Sequence, residues 1–222
     1  HNLKAGAVAA VRDIPHPVLL SRTIMENSEH CILCSDGALE FAQINGIEVG
    51  SVRGREPLSS DESNDEVAIE PMDTVSAIAM DCNGHLACAT SSGGIPFKAK
   101  GRIGDAPLIG CGGYANKFGA ATTCGHGESI IKMTLAKEVV NNIGRQQQDA
   151  QVAAQNAVNE VRLALSAPDQ DRPYVGVIAM DDRGNIGIIG PDDQPMPWVK
   201  ISDDLVEHGK YADRCDDRED YD

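Results

Sequence analysis

The sequence has few basic residues, few aromatic residues and no long apolar run. It carries 19 Lys and Arg against 34 Asp and Glu, for a formal net charge of −15, and only 4% of its residues are aromatic. Proteins bind nucleic acid and anionic membranes mainly through Lys and Arg, so this balance argues against both partners. No apolar run approaches the roughly 20 residues that a membrane-spanning helix needs, and the first residues do not read as a secretory signal.

Signatures of metal and nucleotide sites are also missing. The seven cysteines include Cys31 and Cys34, but no second pair and no histidine cluster stands at metal-ligand spacing. An odd number of cysteines in strand-like segments predicts buried free thiols in a reducing compartment, and core packing for Cys31 and Cys34. The glycines around Gly110 and Gly125 lack the P-loop lysine and the dinucleotide spacing, which argues against nucleotide binding.

What is present is an ordinary globular composition with two acidic stretches. The 222 residues are 41% hydrophobic, enough for one good-sized domain or two small ones. Residues 56–73 hold seven acids and no base, and residues 203–222 hold nine acids against three bases. We expect a long exposed loop or linker at about 46–72 and a solvated or disordered acidic tail at 203–222.

Hydrophobic periodicity predicts an α+β fold. Strands are predicted at 5–11, 30–34, 74–81, 86–90, 174–181 and 186–189, and helices at 17–27, 38–44, 128–143 and 149–165. The strands 74–81 and 86–90 form a pair joined by an Asn-Gly turn, and 174–181 with 186–189 form a second pair. A glycine-rich tract at 93–127 and two helices lie between the pairs, which favours an antiparallel sheet covered by helices.

Thr74 opens a strand directly after the acidic loop, and two interpretations are open. It is either a β-branched strand residue or a nucleophile freed by cleavage between Asp73 and Thr74. In the second case its hydroxyl would attack a carbonyl, and its own α-amine would act as the base.

Five motifs in order decide between these interpretations. They are Asp73-Thr-Val75, Ala89-Thr-Ser-Ser-Gly-Gly94, Gly101-Arg-Ile-Gly-Asp-Ala-Pro107, Gly110-Cys-Gly-Gly-Tyr-Ala115 and Gly125-His-Gly-Glu128. The series resembles the type 2 (plant-type) asparaginases and isoaspartyl peptidases, which are N-terminal nucleophile hydrolases related to glycosylasparaginase and taspase. The resemblance covers the whole chain, and Met196-Pro-Trp198 resembles a signature near the end of the family's β subunit.

The resemblance implies a four-layer αββα sandwich that is incomplete at the N-terminus. The family's opening strand, its glycine-rich segment and an active-site Asn have no counterpart before His1. Residues 1–73 would be the C-terminal part of an α-subunit-like region, residues 74–202 the β-subunit-like catalytic region, and 203–222 the tail. The resemblance further implies a homodimer of αβ units, chemistry without a cofactor or metal, and a cytoplasmic location.

Two charged residues suit the headgroup of an aspartyl substrate. Arg102 offers a planar fork for the α-carboxylate, and Asp105 offers a counter-charge for the α-ammonium. The alternative is an ordinary surface ion pair, but Gly101 and Gly104 would allow close approach of the backbone to a ligand. Ser92, where asparaginases usually have Thr, is expected to hydrogen-bond Thr74 across the hairpin.

Cys124 is a larger departure from the family pattern. It stands where asparaginases usually carry an oxyanion-hole Thr, and a thiol is a weaker donor than a hydroxyl. The backbone N–H of Gly125 would still serve, Thr123 would substitute if the register slips by one residue, and Gly127 would offer its carbonyl to the substrate amine. For His126, loop shaping and a direct role stay equally open.

The resemblance therefore implies a threonine hydrolase that acts on the small molecules L-asparagine and β-aspartyl dipeptides after autocleavage at Asp73–Thr74. Glycosylasparaginase activity, which would imply a lysosomal location, is the second hypothesis, because Asp73 precedes Thr74. Taspase-like endopeptidase activity ranks lower. An inactive family member kept as a binding or structural protein is a further alternative, motivated by Cys124 and by the missing N-terminal portion.

Overall fold

The computed structural model describes residues 2–50, 74–165, 174–191, 196–202 and 205–210. These residues form two compact units. The smaller unit comprises the described residues from Lys4 to Val75 together with Ser91–Ile103, and the larger comprises Ser76–Thr90 and the described residues from Gly104 onward, with Asn2 and Leu3. The predicted linker beyond Gly50 and the cleavage residue Asp73 lie outside the described residues, so the predicted subunit boundary stays a prediction.

The smaller unit is built from two strands and two helices. They are β1 (Ala7–Ala9), α1 (Pro17–Asn27), β2 (Ile32–Cys34) and α2 (Ser35–Ile44). β1 and β2 pair in parallel, with Ala7 opposite Ile32. Pro17 begins α1, where its missing N–H removes no helical hydrogen bond, and the buried Leu20 and Ile24 of this helix anchor the core of the unit. The predicted helix at 17–27 and the strand at 30–34 are confirmed.

The expectation of buried cysteines is wrong for three positions. Cys31, Cys34 and Cys82 are exposed, Cys88 and Cys124 are half-buried, and Cys111 is buried. Along β2 only Leu33 packs on the core cluster, so the side chains next to it point outward. Cys82 lies in the turn of a hairpin, where side chains meet solvent.

The larger unit contains most of the sheet. A hairpin is formed by β3 (Thr74–Met80) and β4 (Leu86–Ser92), whose open end is grouped with the smaller unit. An antiparallel four-stranded sheet has the order β5 (Gly113–Ala115), β6 (Gly119–Gly125), β7 (Val175–Asp181) and β8 (Ile186–Ile189). β9 (Pro197–Ser202) and β10 (Leu205–Lys210) form a second antiparallel hairpin.

Helices cover one face of the four-stranded sheet. α3 (Gly127–Met133) leads into α4 (Leu135–Gln146) and α5 (Ala150–Leu165), and α4 and α5 pack on the sheet through buried Val, Ile and Ala side chains. The single helix predicted at 128–143 is broken because Thr134 has a left-handed backbone with φ of 46°.

The glycine-rich tract contains two strands, β5 and β6, that were not predicted from the sequence. β6 is central in the sheet, and its first residue Gly119 leaves no room for a side chain, because a Cβ would lie 2.9 Å from both Ile143 Cδ1 and Met180 O. Small residues here let α4 approach the sheet, so the segment does not show the hydrophobic pattern typical of a strand.

The β3–β4 hairpin packs on the other face of the sheet. Ser76 Oγ donates to Thr122 Oγ1 at 3.1 Å, and Thr90 Oγ1 donates to Gly112 O at 3.0 Å. The larger unit thus has a hairpin layer, a sheet layer and a helical layer. This mixed architecture confirms the α+β prediction.

The prediction for the acidic tail is wrong in part. Leu205–Lys210 is a strand paired with β9, with Val206 opposite Ile201, so a disordered tail is the wrong description for those six residues. Residues 205–208 are exposed, which agrees with a solvated segment. The backbone hydrogen bonds to β9 satisfy this segment despite its acidic neighbours. Residues 211–222 lie outside the described residues.

Candidate active site

Thr74 and Ser92 meet at the open end of the first hairpin. Thr74 is the first residue of β3 and Ser92 the last of β4, and Thr74 Oγ1 donates to Ser92 Oγ at 2.9 Å. Ser92 Oγ also accepts a hydrogen bond from the Gly94 N–H at 3.0 Å, which fixes the direction of the hydroxyl pair. The expected hydrogen bond across the hairpin is therefore present, and the catalytic roles of both residues stay predictions.

Arg102 follows a tight turn in the same unit. Gly101 has a φ of +89°, and the Arg102 N–H donates to Ala99 O at 3.0 Å. A Cβ added at Gly101 would meet nothing within 4 Å, so the glycine serves the backbone conformation rather than a close packing contact. The half-buried Arg102 side chain stands at the end of this turn.

Asp105 belongs to the larger unit and is only 9% exposed. Its carbonyl accepts hydrogen bonds from Leu108 N at 2.9 Å and Gly112 N at 3.1 Å, which folds the segment 105–112 into a closed loop. The Asp105 charge acts on nearby groups, because it adds to the raised pKa of both Cys111 and Cys124. A buried carboxylate is a suitable partner for a ligand cation.

The Cys124 thiol is directed at a methionine. Cys124 Sγ donates to Met196 Sδ at 3.6 Å, and a Cβ on Gly176 would lie 2.7 Å from Met196 Sδ and 3.0 Å from Cys124 Sγ. Glycine at position 176 therefore makes the space that both sulfur atoms occupy. Burial raises the pKa of the Cys124 thiol to about 11, and the Asp105 charge adds to the rise, so the group is a neutral thiol at neutral pH.

Thr123 does not replace Cys124. Its Oγ1 donates to Cys111 O at 2.8 Å, and the residue is 1% exposed. Neighbouring residues of a strand point to opposite faces, so Thr123 points away from the face that Cys124 shares with Thr122. The register slip considered from the sequence is therefore wrong, and the hydroxyl of Thr123 serves the fold.

Gly125, His126 and Gly127 link β6 to α3. Gly125 has a φ of +128°, and a Cβ there would lie 2.2 Å from Tyr174 O, so no other residue fits without movement. The His126 N–H donates to Tyr174 O at 2.6 Å, and Gly127 is the buried first residue of α3. The backbone amides and carbonyls of residues 125–127 are suited to bind the oxygen and ammonium groups of a substrate.

The predicted site residues are divided between the two units. Thr74, Ser92 and Arg102 belong to the smaller unit, and Asp105, Cys124, Gly125 and Gly127 belong to the larger one. A cavity of about 330 Å³ beside Trp198, Lys200 and Glu207 contains none of them. Among the described residues, no three His, Cys, Asp or Glu side chains are grouped to hold a metal ion. In that same part of the chain, every helix is too short or too polar to cross a membrane.

Sequence reasoning missed two contacts of this region. The bond between Ser76 and Thr122 joins the nucleophile-bearing strand to β6, and Met196 contacts Cys124. The alternation of Thr74 and Ser76 on one face of β3 was a signal for the first contact. The second joins residues 72 positions apart, and no local pattern reports it.

Comparisons with known proteins agree on one family. A model of the Asparaginase_2 family, described as asparaginase, matches residues 1–53 and 50–204. The isoaspartyl peptidase/L-asparaginase of Xenopus laevis is 37% identical over 95% of this chain and 69% of its own length. The protein of that name from Bos taurus is 36% identical over 94% of this chain and 68% of its own length, and the Danio rerio protein is 43% identical over 62% and 48%. With a family model matching most of its length and relatives at this identity, the chain belongs to the Asparaginase_2 family.

Proposed function

We propose that this chain is a threonine hydrolase that cleaves L-asparagine and β-aspartyl dipeptides after its own cleavage between Asp73 and Thr74. The observation that carries the proposal is the 2.9 Å hydrogen bond between Thr74 Oγ1 and Ser92 Oγ at the start of β3, in a chain of the Asparaginase_2 family. The relatives named isoaspartyl peptidase/L-asparaginase support this substrate class over the glycosylasparaginase and inactive-protein alternatives.

In the proposed reaction, cleavage frees the α-amine of Thr74. The amine takes the proton of the Thr74 hydroxyl, and Oγ1 attacks the side-chain carbonyl of the substrate. The tetrahedral intermediate collapses to an ester as ammonia or an amino acid leaves with that proton. Water then attacks the ester and releases aspartate, which restores the hydroxyl. Ser92 orients Thr74 through their hydrogen bond.

The negative oxygen of the intermediate needs donors. The Gly125 backbone N–H is the proposed principal donor, because the Cys124 thiol donates to Met196 Sδ instead. Arg102 would bind the α-carboxylate, and Asp105 and the Gly127 carbonyl would bind the α-ammonium. The burial of Asp105, at 9% exposure, supports a role in binding a cation.

A four-layer sandwich and a homodimer of αβ units complete the proposal. The outward face of the β3–β4 hairpin carries exposed Val75, Ala77, Ala79, Ala87 and Ala89. An apolar face of this kind is what a second helical layer would cover. This pattern supports the proposed sandwich.

The first test is cleavage and its dependence on the hydroxyl pair. The purified full-length protein should separate into two pieces, the second beginning at Thr74, and Thr74→Ala should abolish both cleavage and hydrolysis of a β-aspartyl dipeptide. Ser76→Ala is the matched control, since it removes a hydroxyl two residues away that bonds Thr122. A Thr74→Ala protein that still splits at this bond would rule out the mechanism.

The second test concerns substrate recognition. Arg102→Ala should lower kcat/KM by about 30- to 1,000-fold, which corresponds to about 2–4 kcal/mol for a charge-assisted contact with a carboxylate. The comparison uses a β-aspartyl dipeptide and the same compound with its α-carboxylate amidated. Equal rates for the two compounds in the wild-type enzyme would show that no carboxylate site exists.

A further inference from the structure

His126 is held by its backbone and by both ring nitrogens. Its N–H donates to Tyr174 O at 2.6 Å, its Nδ1 lies 2.7 Å from Ser129 Oγ, and its Nε2 lies 3.5 Å from Glu128 Oε2. The backbone contact ties residue 126 to the residue before β7, and the ring contacts tie it to the first turn of α3. The imidazole itself is half-exposed.

The neighbours favour one tautomer of the ring. An ionised carboxylate only accepts hydrogen bonds, so we assign the proton to Nε2, which faces Glu128 Oε2 at 3.5 Å. With that assignment Nδ1 accepts a hydrogen bond from the Ser129 hydroxyl at 2.7 Å. Ser129 is only 5% exposed, so a hydroxyl without this partner would be left buried at a cost to stability.

This arrangement constrains two glycines that have no side chains of their own. Gly125 and Gly127 flank His126 directly, and peptide planarity transmits the position of one residue to the next. Glycine has the widest conformational freedom, yet Gly125 has a φ of +128° and lies where an added Cβ would be 2.2 Å from Tyr174 O. The hydrogen bonds of His126 to Tyr174, before β7, and to Ser129, in α3, restrict the backbone of both glycines.

We propose that His126 is a positioning residue that, through Ser129, holds the Gly125 N–H and the Gly127 carbonyl in place for hydrolysis. The inference rests on the proposed function, in which Gly125 binds the oxyanion and Gly127 the substrate ammonium. His126 touches neither the nucleophile nor the reacting atoms in this role. Its contribution is the geometry of the link between β6 and α3.

The test compares two substitutions of similar size. His126→Leu removes the acceptor for Ser129 and should lower kcat by about 10- to 100-fold, since a displacement of about 1 Å in a catalytic group has that effect. His126→Asn places a carbonyl oxygen near the former Nδ1 position and should keep kcat within about threefold of wild type. Ser129→Ala should reproduce the Leu variant, and the double variant should lose no more than either single one.

A second histidine provides the control. His85 Nδ1 lies 3.0 Å from Asp81 Oδ2 in the β3–β4 turn, and His85→Leu should leave kcat unchanged. Melting temperatures are recorded for every variant, so that a loss of folded protein is separated from a loss of kcat. Wild-type kcat in Ser129→Ala would overturn the proposal, and this variant decides the matter if His126→Leu does not fold.

A readout without activity separates this inference from the proposed function. The amide resonances of Gly125 and Gly127 in ¹⁵N-labelled protein should shift in His126→Leu and Ser129→Ala, and return toward wild type in His126→Asn. Unchanged resonances would overturn the positioning role. The variants could show these shifts while the wild-type protein hydrolyses no aspartyl amide. That result would refute the proposed function but not the positioning role of His126.

Discussion

The hairpins β3–β4 and β7–β8 have the same turn but different surroundings. Asp81 and Asp181 each begin a turn in which the carboxylate Oδ1 accepts two backbone N–H bonds, at 2.8 Å from both Asn83 and His85 in the first hairpin. In the second hairpin Asp181 Oδ1 accepts from Arg183 at 2.9 Å and Asn185 at 2.8 Å. The glycine of each turn has a positive φ, +75° and +81°.

The two hairpins differ in what covers them. One face of the first carries Val75, Ala77, Ala79, Ala87 and Ala89, all exposed, whereas the residues 100 positions later, Val175, Val177, Ala179, Gly187 and Ile189, are all buried. α5 packs on β7 and β8. The local sequence thus decides the turn, and packing against helices decides burial.

The largest effect is expected where α5 lies closest to its hairpin. A Cβ on Gly187 would be 2.3 Å from Ala150 O, so Gly187→Ala should cost about 3–4 kcal/mol of the free energy of unfolding. Ala87→Gly at the matching position should cost only about 0.5–1 kcal/mol. Urea unfolding of both variants measures the contrast. Equal losses would contradict the close approach of α5 to Gly187 as the source of the larger cost.

The next contrast compares the two turn carboxylates. Asp181 is 6% exposed and also accepts a bond from Asn185 Nδ2 at 2.8 Å, so Asp181→Ala should lose about 2–3 kcal/mol, because water cannot readily take the place of this buried carboxylate. Asp81→Ala should lose clearly less, because water can replace the carboxylate at an exposed turn. Urea unfolding midpoints at pH 7 measure both losses. A larger loss for Asp81→Ala than for Asp181→Ala would contradict the role of burial.

The same contrast explains how far the sequence could be read. Turn chemistry is local, so the Asn-Gly turn at 83–84 and the strand pairs were predictable from spacing. The sequence did not predict β6, because α4 packs closely on this strand and requires small residues at Gly119, Ala120 and Ala121. That requirement comes from the tertiary structure and leaves no local pattern. Within the site, the link from Thr74 to Ser92 follows from hairpin register, whereas the Cys124–Met196 contact depends on the complete fold.

A third contrast uses one residue type on both hairpins. Val175 is 1% exposed and Val75 is 70% exposed. Val175→Ala should lose about 2 kcal/mol through lost burial and a small cavity, and Val75→Ala should change stability by less than about 0.5 kcal/mol. Chemical unfolding measures both. The expectation for Val75→Ala follows from the 70% exposure of Val75, whereas the proposed four-layer sandwich places a further layer over this face. A loss for Val75→Ala as large as that for Val175→Ala would overturn the contrast and support the sandwich.

The smallest effect is the pH dependence of the exposed turn. The hydrogen bond from the His85 backbone N–H is the main reason that the pKa of Asp81 lies below its ordinary 3.8; desolvation opposes the shift, and the Asn83 N–H adds to it. A carboxylate whose pKa is lowered by folding stabilises the native state above its unfolded pKa, and the benefit is lost as the pH falls through the folded pKa. The stability difference between wild type and Asp81→Asn should therefore shrink as the pH falls below about 4. Asp182→Asn, in the turn of the second hairpin, controls for the loss of one negative charge. A difference that stays unchanged down to about pH 2 would mean that the ionised carboxylate contributes nothing to the first turn.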